Sequence, residues 1–248
     1  MDAGVPDFTE ARNHMVDGQV RPNKVNDPRI IQAMRRLPRE RFVPPHLAGL
    51  AYIDEDVPLG GGRFLMEPMV IARLVQLARV RAGERALVVG AGTGYGAALL
   101  AACGAAVTAL EDDERLAAIA RRALAETAPG VSLVAGPLAR GWAKAGPYDA
   151  VLIEGAVREI PDAVAQQVRT NGRLVTVMCG GRGVSGGASG GAPRASLGDA
   201  AGGACAGVLA EPSRPSGQAG AVLRAQAEFD CATPLLPGLE PAAPVFRF

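Results

Sequence analysis

The sequence predicts an α/β protein with a doubly wound, mostly parallel sheet, preceded by helices and completed by an antiparallel pair of C-terminal strands. Three observations carry that expectation. From Arg85 onward, short apolar runs alternate with helical patterns; a glycine cluster, Gly90 to Gly94, directly follows the first run; and Glu111 closes the second. At 248 residues the chain is long enough for one large α/β domain with appendages. Hydrophobic residues make up 48% of it and aromatics only 4%, so the core should consist of Ala, Val and Leu.

The N-terminal segment, residues 1–82, reads as helical. Asp27 is a plausible N-cap, Pro28 suits the first helical position, and Ile30, Ile31, Met34 and Leu37 recur at helical spacing until Pro38. A second amphipathic helix begins near Pro68, with Val70, Ile71, Leu74, Leu77 and Ala78 on one face. Between them lies a glycine loop, Gly60 to Gly62.

Residues 83–179 form the expected core, with strands near 85–89, 106–110, 131–135, 149–153 and 173–178. Helices fit between them at Tyr95–Cys103, Asp113–Glu126 and Pro161–Val168. Residues 86–110 carry no charge and could span a bilayer by length alone, but their repeated glycines argue for strand, loop, helix and strand instead. Residues 180–220 contain 13 glycines in 41 positions and little apolar surface, which reads as a mobile insertion. Two G-x-S-x-G matches within it, from Gly183 and Gly187, lack a flanking strand or helix and are compositional. In residues 221–248, Ala221–Phe229 and Val245–Phe248 read as the antiparallel pair.

Lys and Arg number 26 against 25 Asp and Glu, so no global field favours nucleic acid or an anionic membrane. Arg35, Arg36, Arg39 and Arg41 cluster without interleaved aromatics, as a solvated face does. Cys103, Cys179, Cys205 and Cys231 have no metal spacing and read as free thiols in a reducing compartment. With no secretory leader pattern at Met1, the expected location is the cytoplasm, without metal, membrane or nucleic-acid partner.

The chemistry sits after the first strand. Gly90, Ala91, Gly92 and Gly94 lead into a helix whose free N–H groups and bare backbone allow close approach of a ligand. A dinucleotide loop would need glycine at position 95, which is Tyr95, so the spacing favours S-adenosylmethionine (SAM) over NAD. Glu111 is placed to accept both ribose hydroxyls, and Asp112 follows on the adenine side.

Several segments resemble, in order and spacing, the protein-L-isoaspartate O-methyltransferase family. They are Met15–Val16, Gln19–Val20, Arg29–Pro44, Ala51–Asp54, Pro58–Gly62, Glu67–Pro68, the glycine loop, Tyr148–Ala150 and Asn171–Val175, so the resemblance covers about residues 8–178 and, more loosely, the last strands. It implies a class I SAM-dependent methyltransferase that esterifies the α-carboxylate of isoaspartyl residues in damaged proteins or peptides, the first step of their repair. It also implies that Leu65, Met66 and Glu67 cover the methionine end of the cofactor, and that Pro137 and Leu138 stand where the family's Asp-Gly meets the adenine. The departures are specific. Met66 occupies the family's active-site Ser, Phe64 its Thr, Val88 its acid before the glycine loop, and Glu154 its Thr at the acceptor pocket. A carboxylate at 154 would repel a carboxylate substrate unless Arg63 or Arg158 neutralises it. The departures leave two alternatives: a divergent methyltransferase of another acceptor, and a non-catalytic protein that binds SAM or S-adenosylhomocysteine (SAH).

Overall fold

In the computed structural model, which describes residues 7–179, 205–213 and 222–239, the N-terminal third is helical as expected. Helix α1 (Thr9–Met15) runs into a π-helical stretch, Val16–Val20, and is followed by α2 (Pro28–Arg36). The Asp27 carboxylate accepts from the Arg29 backbone N–H at 2.9 Å, and Pro28 occupies the first turn. Leu37 is extended ahead of Pro38, which stops the helix. The glycine loop is the turn of a hairpin between β1 (Val57–Gly60) and β2 (Arg63–Leu65). Gly60, Gly61 and Gly62 all have positive φ, which explains why three glycines stand in a row there. Helix α3 (Pro68–Ala78) buries Val70, Ile71, Leu74, Val75 and Ala78.

Beyond it the alternation of strand and helix is present: β3 (Arg85–Val89), α4 (Tyr95–Ala102), β4 (Ala106–Glu111), α5 (Glu114–Thr127), β5 (Ser132–Ala135), β6 (Tyr148–Val157), α6 (Asp162–Ala165) and β7 (Val168–Cys179). The uncharged stretch is therefore β3, α4 and β4, and among the described residues no helix is long and apolar enough to cross a membrane. Two further strands, β8 (Cys205–Ser213) and β9 (Val222–Cys231), complete a seven-stranded sheet ordered β5-β4-β3-β6-β7-β8-β9. The strands from β5 to β7 are parallel, and β8 and β9 add antiparallel. Alternate residues divide between the two faces. Leu87, Val89, Val151 and Ile153 join one core cluster and Ala86, Val88, Ala150 and Leu152 the other, so both faces are buried. The chain begins in the middle at β3, works outward to β5 and returns to β6 on the other side, leaving a crevice at the carboxyl ends of β3 and β6.

Three expectations are corrected, and a fourth falls partly outside the described residues. Residues 205–213 of the expected insertion are strand β8; the rest of that segment lies outside the described residues. The antiparallel partner of β9 is β8, whereas Val245–Phe248 lies outside the described residues. The helix expected over Pro161–Val168 is a single turn, because Val168 already belongs to β7. Cys179 and Cys205 are disulfide-bonded and face each other in the β7–β8 register with Cα atoms 4.1 Å apart. A separation of 26 residues, without a motif, hides that pairing in the sequence. Cys231, next in register on β9, and Cys103 remain free.

Candidate active site

Register alone brings three chain positions side by side at the crevice. Val89 pairs with Leu110 on one side and with Ile153 on the other, so the next residues of the three strands are Gly90, Glu111 and Glu154. Gly90 has φ 70°, a left-handed conformation that favours glycine, and a Cβ there would lie 2.7 Å from Leu236 Cδ2 of the C-terminal segment. Gly92 and Gly94 also have positive φ, and Gly94 leads directly into α4.

The Glu111 side chain is fully buried and saturated with donors. Oε2 accepts from the Gly92 N–H at 2.6 Å, and Oε1 accepts from the N–H groups of Asp112 at 3.0 Å and Asp113 at 2.9 Å. The outward edge is taken by Arg63, whose Nη1 and Nη2 each donate to one carboxylate oxygen at 2.7 Å. Asp112 is partly exposed, and burial followed by the neighbouring Glu111 raises its carboxyl above the usual range. Asp113 caps α5 through the Arg115 N–H.

Glu154 owes its placement to an irregularity in β6, where the pairing with β7 slips between Leu152 and Ala156 and Gly155 has φ 150°. Its carboxyl lies against the first turn of α4, where a Cβ on Gly96 would come 2.5 Å from Oε2. Burial pushes it up to about 8, outweighing the pull of Arg63 and Arg39, and Oε2 has no hydrogen-bond partner among the described residues. It lines a cavity of about 10 Å³ with Arg63, Phe64, Met66 and Leu236, room for roughly one water. The roof is the segment 233–239, tied to β6 by Ala156 N–H to the Pro234 carbonyl at 3.0 Å and Leu236 N–H to the Ala156 carbonyl at 2.7 Å.

The structure brings most of the residues singled out in the sequence to this end of the sheet. Leu65, Met66 and Ala91 are buried in the core cluster on the α3–α4 side, and Phe64 is half-buried beside the cavity. Glu67 is half-buried, its carboxyl raised first by burial and then by Asp54, Asp56 and Glu55; its N–H donates to Asp56 at 2.7 Å. Leu138 is buried in the opposite core cluster and Pro137 is exposed. Two features escape sequence reading. Arg39 is completely buried instead of solvated, because its fork satisfies two loop carbonyls; and residues 233–239, which carry no motif, roof the site. No cluster of three or more His, Cys, Asp or Glu suited to a metal occurs among the described residues.

Residues 10–181 match the protein-L-isoaspartate(D-aspartate) O-methyltransferase family. The chain belongs to this family. A protein-L-isoaspartate O-methyltransferase of Methylorubrum extorquens (strain PA1) is 43% identical over 171 residues, 69% of this chain and 75% of its own. One from Methylorubrum populi (strain ATCC BAA-705 / NCIMB 13946 / BJ001) is 39% identical over 165 residues, 66% and 78% of the two chains. The fold extends further than the sequence match. A Plasmodium falciparum protein assigned as a protein-L-isoaspartate O-methyltransferase, solved with SAH, superposes with a TM-score of 0.66 at 17% identity, covering 92% of this chain and 98% of its own. Membership of the isoaspartate methyltransferase family carries the expected enzyme class, a SAM-dependent methyltransferase on a doubly wound sheet.

Proposed function

We propose that this chain methylates the α-carboxylate of isoaspartyl residues in damaged proteins or peptides, with SAM held between the glycine loop and Glu111. The observation that carries the reading is the alignment of Gly90, Glu111 and Glu154 on three neighbouring strands. The residue types fit an adenosyl sulfonium. The glycines leave backbone bare, α4 presents its N-terminus, and the outward edge of Glu111 offers two acceptors for two ribose hydroxyls. The Arg63 fork on that edge is a stand-in for such a donor pair.

In this reading Gly90, Ala91, Gly92 and Gly94 bind through backbone, Glu111 through its carboxylate, and Asp112, Pro137 and Leu138 border the adenine. Leu65, Met66 and Glu67 cover the methionine end, and Phe64 and Glu154 line the acceptor pocket. When bound, SAM would supply an electrophilic sulfonium methyl for an acceptor carboxylate oxygen and depart as the neutral thioether SAH, a transfer that would call for no proton movement. A carboxylate has a reference pKa near 4 and is already nucleophilic at neutral pH, so the chain needs no general base. Its contribution is positioning in a site roofed by Leu235 and Leu236, where holding the partners together supplies several kcal/mol of the barrier.

The test is incubation with methyl-labelled SAM and an isoaspartyl peptide beside its ordinary aspartyl counterpart. Base-labile label on the isoaspartyl peptide alone is expected; label on neither peptide contradicts the proposal. A second reading, a methyltransferase of another acceptor, is favoured by the buried Met66 and Glu154 at positions where the family has hydroxyls. Label on other protein from a cell extract, with none on the isoaspartyl peptide, selects it; cofactor binding without transfer to either selects the non-catalytic alternative. The proposal includes a cytoplasmic location. The Cys179–Cys205 disulfide is the feature that opposes it, and trapping both cysteines as thiols in intact cells supports the cytoplasm.

A further inference from the structure

The outward edge of Glu111 cannot serve Arg63 and a ribose together. Both oxygens already receive the guanidinium fork at 2.7 Å, both side chains are buried, and the other acceptor positions are taken by the N–H groups of Gly92, Asp112 and Asp113. Any second donor pair must displace the guanidinium. Arg63 begins β2, directly after the turn of three glycines, and also lines the small cavity against Phe64, Met66 and Glu154. There it is the one cation among the described lining residues, in a pocket that lacks side-chain hydroxyls at positions 64 and 66. A carboxylate entering there, once the 233–239 roof lifts from a space that now holds about one water, meets the Glu154 acid, the Thr233 hydroxyl, one arginine and otherwise apolar side chains.

We propose that Arg63 exchanges between two carboxylates: it holds Glu111 until the ribose of the cofactor takes that edge, and then serves as the receptor of the isoaspartyl α-carboxylate in the adjoining cavity. This rests on the proposed function. Arg63 is then a specificity-determining residue, and cofactor and acceptor bind with positive coupling, each strengthening the other by the same factor. A guanidinium fork matches a carboxylate bidentately, so one side chain can serve both partners in turn.

The test is calorimetric titration of SAH and of an isoaspartyl peptide, separately and together, into the full chain and its Arg63→Gln variant. The variant is expected to bind SAH at least about tenfold more tightly, because nothing must be displaced from Glu111. In the original protein, saturating SAH should raise peptide affinity about tenfold, and in Arg63→Gln that gain should vanish. Without added ligand the variant should melt lower, with the gap narrowing on SAH saturation. Equal SAH affinities, or coupling that survives in the variant, would overturn the exchange and leave the methyltransferase reading intact. Absence of SAH binding by folded protein of both kinds would overturn both. Should Arg63→Gln not fold, Arg63→Lys, which keeps the charge but loses the fork, carries the same prediction with a smaller change.

Discussion

Arg39 and Met66 are joined across the loop that precedes α3: Arg39 Nη2 donates to the Met66 carbonyl at 2.6 Å, and Nε donates to the Ala51 carbonyl at 2.6 Å. The guanidinium also lies 4.7 Å from the centre of the Tyr95 ring in the first turn of α4. One buried cation therefore fixes the segment carrying Phe64 and Met66 to the helix that follows the glycine loop.

Replacing Arg39 by Lys keeps a charge but cannot span both carbonyls, so one carbonyl or the ammonium is left without a partner in the core. A loss of roughly 1–3 kcal/mol is expected, seen as a melting temperature lower by several degrees. An unchanged melting temperature would show that the loop is held by other contacts.

Glu154 makes stability fall as pH rises. Its folded carboxyl titrates at about 8 against an ordinary 4.5, so between those values the folded chain binds more protons than the unfolded one. The penalty is absent below about pH 4.5 and complete above about pH 8. Glu154→Gln should be the more stable protein at pH 8, by a few kcal/mol as an order of magnitude, with the difference vanishing toward pH 4. Asp56 and Glu67, also raised, and Glu84 and Asp149, lowered, titrate in both proteins and drop out of the comparison. Parallel stability–pH profiles for the two proteins would contradict this account.

Restoring hydroxyls at the two family positions separates packing from chemistry. Phe64 is half-buried, so Phe64→Thr should fold well and raise transfer to an isoaspartyl peptide. Met66→Ser opens a cavity in the core, because Met66 is only 2% exposed, and should cost about 2–4 kcal/mol whatever it does for turnover. If neither variant gains transfer, the missing hydroxyls are not what limits the reaction.

The disulfide makes a simple count possible. Alkylation under denaturing, non-reducing conditions should label two of the four cysteines, Cys103 and Cys231. A cross-link over 26 residues contributes about 3 kcal/mol by loop entropy, so a reductant should lower the melting temperature. Four labelled thiols would show that the bond does not form.

What was legible in the sequence was whatever repeats or turns locally. Asp27 and Pro28 announce α2 and the alternation after Arg85 announces the sheet because each is a local pattern, while Gly90 with Glu111 marks the crevice through the fixed spacing between the ends of two adjacent parallel strands. The resemblance of the quoted segments pointed to the family directly. What was not legible depends on distant partners. The burial of Arg39 is decided by the carbonyls of Ala51 and Met66, the role of Arg63 by an acid 48 positions away, and the roof over Gly90 by Leu236. Strand β8 was hidden because its small residues, such as Ala206, Gly207 and Ala210, look like the glycine-rich segment before it; pairing with β7 is what makes them a strand.

Glu111 as the acceptor of the cofactor's ribose is tested most directly by calorimetric titration of SAH into the protein and its Glu111→Gln variant, repeated on the Arg63→Gln background, where no guanidinium competes for that edge. Binding to the original chain is expected, with at least about tenfold weaker binding once Glu111→Gln is added on the Arg63→Gln background and every variant shown folded by its melting curve. Equal affinities on that background, or no binding to the original chain, would contradict the ribose role.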